Sequence, residues 1–383
     1  MSGTDNNLSL KERIERRLQR IANVLLLNAS FIDNIGLLNG KMGTAIFFYH
    51  YGRYTNNKIF SDYAGELIDE IYEEINTGTP VNFANGLTGI GWGIEYLVKN
   101  KFVQADTDEA LAEIDTSVYR NSLYRPFLLE SGNDIFGYGL YYLARLREHG
   151  NDDDNLNTLF KKQHLIYLTD DCERILIQKK YLDFKIQSLS IDTINSFSWF
   201  LIEMNRRGIF PFKVEKLFHA LPEYLESHVQ NTNDPSGTVQ MMELIESIIP
   251  CIMDVQTRDR YKEILNKRDG YTSASEKTEE EEVNNSIKAA WQNMIYDPYI
   301  PAFGNDHINV DRVFRIIDDE ENWSRRLDNL NKDNLGLTGF AGIGIGLLRA
   351  QGASLRQGYG WQSRAKSEGQ KAESKNTNVQ VED

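Results

Sequence analysis

Apolar residues recur at Leu10, Ile14, Leu18, Ile21 and Leu25, a spacing of three and four that predicts an amphipathic helix over 8–28. Residues 40–51 are apolar almost all round. The next stretch carries a single stripe at Phe60, Tyr63, Leu67, Ile71 and Ile75, and 86–98 is again apolar on every side. A helix that is apolar all round is buried, whereas one with a single stripe covers it from outside. The alternation therefore predicts inner and outer helices in pairs. It continues with 109–119 as an outer helix, 135–147 as an inner one and a long helix over 156–180. Beyond that, 190–204 reads as an inner helix covered by 214–229, and 239–249 pairs with 258–265, Pro250 ending the first. Segments 287–295, 310–330 and 339–348 complete about seven pairs, with no strand-rich region.

Glycine punctuates the inner helices. Gly336-Leu-Thr-Gly339-Phe-Ala-Gly342 opens the last of them, and related runs stand at Gly36-Leu-Leu-Asn-Gly40-Lys-Met-Gly43 and Gly86-Leu-Thr-Gly89-Ile-Gly91, with a looser copy at Asp134-Ile-Phe-Gly137-Tyr-Gly139. Glycine costs about 1 kcal/mol relative to alanine inside a helix, so its clustering at helix starts implies close approach of another backbone or amides left open toward a cavity. A phosphate loop is disfavoured, because no strand precedes Gly89 and no Gly-Lys-Ser/Thr follows. Recurrence about every 50 residues, as from Gly36 to Gly86, is the mark of repeated helical hairpins.

The chain has 383 residues, 41% of them hydrophobic, enough for a sizeable core. We expect one domain over 1–350. The segment 351–383, poor in apolar residues and without a period, reads as a disordered tail. A net charge of -14 argues against a general nucleic-acid binder and fits either a soluble acidic surface or attraction of a cationic peptide. No apolar run is long enough to cross a membrane, the polar start lacks a signal-like core, and two cysteines suit a reducing compartment; together these predict a cytoplasmic protein. The loop Gly150-Asn-Asp-Asp-Asp-Asn155 lacks the glycine and distal glutamate of an EF-hand and reads as a solvated turn, while the four glutamates at 279–282 read as an exposed loop or helix start.

Paired inner and outer helices, glycine motifs at the inner N-termini and the closing run from Gly336 to Leu348 resemble the lanthionine synthetase C-like (LanC-like) family. The resemblance spans roughly 36–349, strongest at its ends and faint between about 188 and 333. It implies an α/α toroid, seven inner helices wrapped by seven outer ones, with a central cavity opening among the glycine-rich turns. Active members are zinc enzymes that cyclise ribosomally made peptides: zinc holds a peptide cysteine as thiolate, which adds to a dehydrated residue to form a thioether. The family's ligands are a cysteine in a Trp-Cys-type motif and an adjacent Cys-His pair, with a catalytic histidine followed by glycine. Here Cys172 precedes Glu173 and Cys251 precedes Ile252, and among six histidines only His149 is followed by glycine, where it closes a helix. We therefore expect no zinc, no catalytic residue of the family type, and a peptide-binding or partner-enzyme scaffold in the maturation of modified peptides.

Two active alternatives stay open. A rebuilt metal site would draw on Cys172, Cys251 and His164, of which His164 and Cys172 lie eight apart on one helix. A carboxylate-dependent hydrolase would draw on Glu95 and Asp134, although Asp134 also suits a helix cap. Among the aromatics crowding the inner helices, Trp92 and Tyr138, together with Asp134, are the candidates for lining a peptide-binding cavity.

Overall fold

A computed structural model describes residues 9–124, 133–146, 156–177, 191–231, 235–266 and 320–358. Their regular structure is helical, with no strand among them: α1 (Leu10–Asn28), α2 (Lys41–Thr55), α3 (Lys58–Glu74), α4 (Leu87–Lys99), α5 (Thr107–Ala110), α6 (Ala112–Tyr124), α7 (Asn133–Arg145), α8 (Leu156–Leu176), α9 (Ile191–Arg206), α10 (Pro211–Asn231), α11 (Pro235–Ile248), α12 (Val255–Asn266), α13 (Glu320–Asp328) and α14 (Phe340–Gly358). The fold is all-α. The Asp-rich loop at 150–155, the glutamate run and the expected helix over 287–295 lie outside the described residues.

Boundaries follow local chemistry. Ser9 and Glu12 form a reciprocal capping box at the start of α1, Asn57 caps α3 through Ile59 N–H, and Pro211 occupies the first position of α10, where its missing N–H costs nothing. The outer helix expected over 109–119 is instead two pieces, because Asp106 caps α5 and the chain turns at Leu111 before α6 begins. α11 stops at Ile248, and Pro250 sits in a short 3-10 turn after it. At the other end α14 runs through 351–358, past the boundary at 350 where the sequence predicted a tail.

The inner–outer division holds in burial. Every residue from Lys41 to Gly52 of α2 and from Leu87 to Leu97 of α4 is buried, whereas α3 buries only Ala64, Leu67 and Ile71. Inner helices neighbour one another in chain order, α2 with α4, α4 with α7, α7 with α9 and α9 with α11, and α14 returns to pack on α2. Each is covered by the helix that follows it: α3 on α2, α6 on α4, α8 on α7, α10 on α9 and α12 on α11, while α1 covers α14.

Helix α1 is latched to α13. Arg17 and Arg20 of α1 pair with Glu320 Oε1 of α13 at 2.8 and 3.1 Å, and both guanidinium groups lie over the buried Trp323 ring, 5.3 and 5.7 Å from its centre. Trp323 in turn meets Phe340 of α14 edge-on at 5.8 Å. Glycines let the inner helices close up: the Phe47 ring of α2 fills the place of a side chain on Gly344 of α14, Tyr141 of α7 does so on Gly91 of α4, and Phe200 of α9 on Gly139 of α7.

Candidate functional site at the glycine-rich turns

Three helix starts share one construction. Gly40 and Gly86 are the N-caps of α2 and α4, and Gly339 directly precedes α14. A β-carbon on Gly40 would stand 2.2 Å from Asn34 O, on Gly86 2.0 Å from Pro80 O, and on Gly339 1.8 Å from Asn334 O. The turn folds back onto its own helix start, and no side chain fits between. The structural repeat is thus Gly40-x-x-Gly43, Gly86-x-x-Gly89 and Gly339-x-x-Gly342. This shifts the register suggested by sequence, which set Gly36 and Gly336 beside Gly86. Those two glycines lie in the preceding turns, where successive turns touch: a β-carbon on Gly36 would meet Asn85 Cα at 2.2 Å, and one on Gly336 would meet Leu38 O at 2.4 Å.

The turns are joined into a belt. Thr338 N–H donates to Leu38 O at 3.0 Å, and Leu38 N–H donates to Ala84 O at 2.8 Å, so the turn before α14 is bonded to the turn before α2 and that to the turn before α4. Side chains repeat the linkage. Asn34 and Asn39 both donate to Asn85 Oδ1, at 2.8 and 3.1 Å, and Thr338 Oγ1 donates to Asn39 Oδ1 at 2.5 Å. Lys332 pairs with Asp33 beside them. Each turn also seats an apolar side chain on a glycine of the next inner helix: Leu337 on Gly43, Leu37 on Gly89 and Phe83 on Gly137. Asn34, Asn39, Asn82 and Asn85 remain half-buried and Thr338 exposed, which leaves a polar, amide-rich surface over an apolar underside. The sequence reading missed these asparagines, although Asn39-Gly40 and Asn85-Gly86 repeat in plain sight.

Beneath the belt an aromatic column runs along α4. Phe83 meets Trp92 edge-on at 6.1 Å, Trp92 stacks on Tyr96 at 5.2 Å, and Tyr96 Oη is 2.7 Å from His50 Nε2 of α2. His50 then meets Phe102 at 4.7 Å. Burial, helped by the positive charges of Arg349 and Arg53, pushes the imidazole down to about 3, so His50 is neutral and Tyr96 keeps its proton. Trp92 is buried in this column. Tyr138 turns the other way, its hydroxyl 3.3 Å from Asn121 Oδ1 on the outer helix α6.

Of the two carboxylate candidates, Glu95 has a described side chain. The Glu95 carboxylate is buried and bonded to Arg145 Nη1, with Lys99 3.9 Å away. Arg145 Nη2 also reaches Asp115 at 2.7 Å and Asp108 at 3.0 Å, and Asp108 receives Lys161 at 2.9 Å. Asp115 further accepts the Tyr141 hydroxyl at 2.7 Å. These carboxylates raise Arg145 above its ordinary value against the opposing effect of its burial, and the cluster ties α4 and α7 to the outer helices α5, α6 and α8. Asp134 falls one residue inside α7 and not at its cap; its side chain lies outside the described residues.

Residues 32–189 match the family model described as lanthionine synthetase C-like protein. Over that segment the chain is similar to the LanC-like family. The match takes in the turns before α2 and α4 and runs past α8; the third copy of the motif, before α14, lies beyond it. No curated protein and no solved structure gives a match. No helix among the described residues is long and apolar enough to cross a membrane.

The zinc of that family can be set against the donors present in this chain. Cys172 is buried on the outer helix α8, and Cys251 sits half-buried in the turn after α11, its sulfur 3.8 Å from Ser247 O. Burial pushes both thiols up, away from the thiolate that zinc requires. His50 is bonded to Tyr96, His164 holds Phe160 O through Nδ1 at 3.0 Å, and His219 is bonded to Thr257. Among the described residues, no three His, Cys, Asp or Glu side chains converge to hold a metal, so Cys172, Cys251 and His164 are not brought together as a site. The described donors are not arranged to hold the family's metal.

Proposed function

We propose that this LanC-like protein acts in the maturation of ribosomally synthesised, modified peptides as a peptide-binding or partner-enzyme scaffold, with the belt of glycine-rich turns as the face that meets the peptide. The belt carries this reading. It presents fixed carboxamides and a hydroxyl over an apolar floor, a surface suited to the main chain of an extended peptide, and in this family that end is where the cavity opens. The placement of the described thiols and imidazoles supports binding without turnover: each is buried, protonated, or bonded to a neighbour, and the Glu95 carboxylate is neutralised by Arg145.

The test is calorimetric titration with dehydrated, cysteine-containing precursor peptides, with mass spectrometry of the peptide after long incubation with and without zinc. Saturable binding with unchanged peptide mass and unchanged count of free thiols is expected. Asn85→Ala should weaken binding about tenfold, because it removes the carboxamide on which Asn34 and Asn39 converge. Thioether formation that depends on zinc would overturn the scaffold reading in favour of a cyclase; absence of binding across such peptides would overturn the peptide-binding role.

A further inference from the structure

His164 has no part in the belt, yet its surroundings are unusual. It lies on α8 and is only 3% exposed. Its Nδ1 is 3.0 Å from the Phe160 carbonyl, which can only accept, so Nδ1 carries the proton and Nε2 is a bare lone pair. Nε2 is buried and has no hydrogen-bond partner. Aromatic rings enclose the imidazole: Phe160 at 4.5 Å, Tyr142 of α7 at 4.6 Å and Tyr119 of α6 at 4.8 Å, with Tyr167 at 6.2 Å. A neutral ring is at home there. An imidazolium would bury a charged N–H with nothing to receive it, which is costly.

Charged groups reach this region from several helices. From α6 comes Asp115, whose negative charge favours protonation of His164; from α7 comes Arg145, which holds Asp115; from α5 comes Asp108, shared by Arg145 and Lys161 of α8 itself. The charges of α10 meet α8 two turns further on, where Lys213 pairs with Asp170 and Lys216 with Glu173. Asp115 acts on His164 through its charge alone, its two oxygens being already engaged by Tyr141 and Arg145.

We propose that His164 is an acid-sensitive trigger for helix α8: protonation at Nε2 puts a charged N–H with no acceptor among the Tyr119 and Tyr142 rings and loosens α8 from α6 and α7. Burial lowers the affinity of His164 for its proton below that of an ordinary histidine at 6.5, so the unfolded or opened state binds the proton more tightly. Closure of α8 is then fully stable above about pH 6.5 and is lost as pH falls below it, the opening constant rising by up to about tenfold per pH unit until the closed form itself titrates.

Hydrogen exchange of the full chain between pH 7.5 and 5, corrected for the intrinsic chemical rate, tests this. Protection of 156–176 and 112–124 should fall first while that of α2 and α4 persists, and His164→Phe, which keeps the aromatic packing without a titrating group, should flatten the profile. Unchanged protection in the wild type, or an equal loss in His164→Phe, overturns the proposal. If the variant does not fold, the imidazole resonances of wild-type protein decide. Titration of His164 at or above 6.5 with α8 still protected overturns it, and titration well below 6.5 accompanied by loss of α8 protection supports it.

Discussion

Gly86→Ala should destabilise the protein by about 3 kcal/mol or more, a drop of roughly 4 °C or more in melting temperature. The new methyl would stand 2.0 Å from Pro80 O, 2.5 Å from Pro80 C and 2.9 Å from Asn82 O, all of them backbone atoms. Backbone cannot rotate aside as a flexible side chain does, so the turn itself must move. That turn also carries Leu87 N–H to Pro80 O at 2.9 Å and accepts the belt bond from Leu38 at Ala84 O. Damage at one helix start is thereby passed to its neighbour, and peptide binding should fall along with stability. Gly65→Ala on the outer helix α3 is the control. Its β-carbon would meet only Tyr49 Oη at 3.8 Å, and the gain in helix propensity predicts stabilisation by about 0.5–1 kcal/mol. Thermal melts of the two variants separate the readings: equal effects would show that the inner glycines are ordinary helix residues and not contact points.

The second large effect is expected at Arg145. Arg145→Met keeps much of the apolar stem but withdraws the cation shared by Glu95, Asp115 and Asp108, of which Glu95 is buried and the others partly so. Removing one partner of a buried ion pair costs about 3–5 kcal/mol, because the charges left behind are uncompensated. Denaturant melts of wild type and variant at pH 7 should show a gap of about that size. A gap below about 1 kcal/mol would mean that the ion cluster contributes little to stability.

Which of these features could be read from the sequence depends on the physics of each. The inner–outer alternation was legible because burial is written directly into periodicity: α2 and α4 are apolar all round and α3 carries one stripe, and these are the helices whose roles came out as expected. The glycine motifs were legible as repeats but not in their register. Sequence similarity favours aligning Gly36-Leu with Gly86-Leu, whereas the chain positions Gly40 and Gly86 alike because both must admit a returning backbone oxygen. Long-range pairing was beyond reach. Nothing local marks Asn85 as the acceptor for Asn34 and Asn39, or Arg145 as the partner of Glu95 from 50 positions away. For the same reason Glu95 stood out as a candidate acid and Tyr138 as a cavity aromatic, when the first is held by a guanidinium and the second points to α6. Charge-bearing residues on helices advertise their chemistry, but their partners are decided by the tertiary fold.

The scaffold role is tested most directly by the metal content of the full chain, purified without chelator and without a metal-affinity step, measured by mass spectrometry and followed by zinc titration. No stoichiometric zinc and only weak, non-saturating uptake are expected. About one tightly held zinc per chain would contradict that role and favour a thioether-forming enzyme of the LanC-like kind.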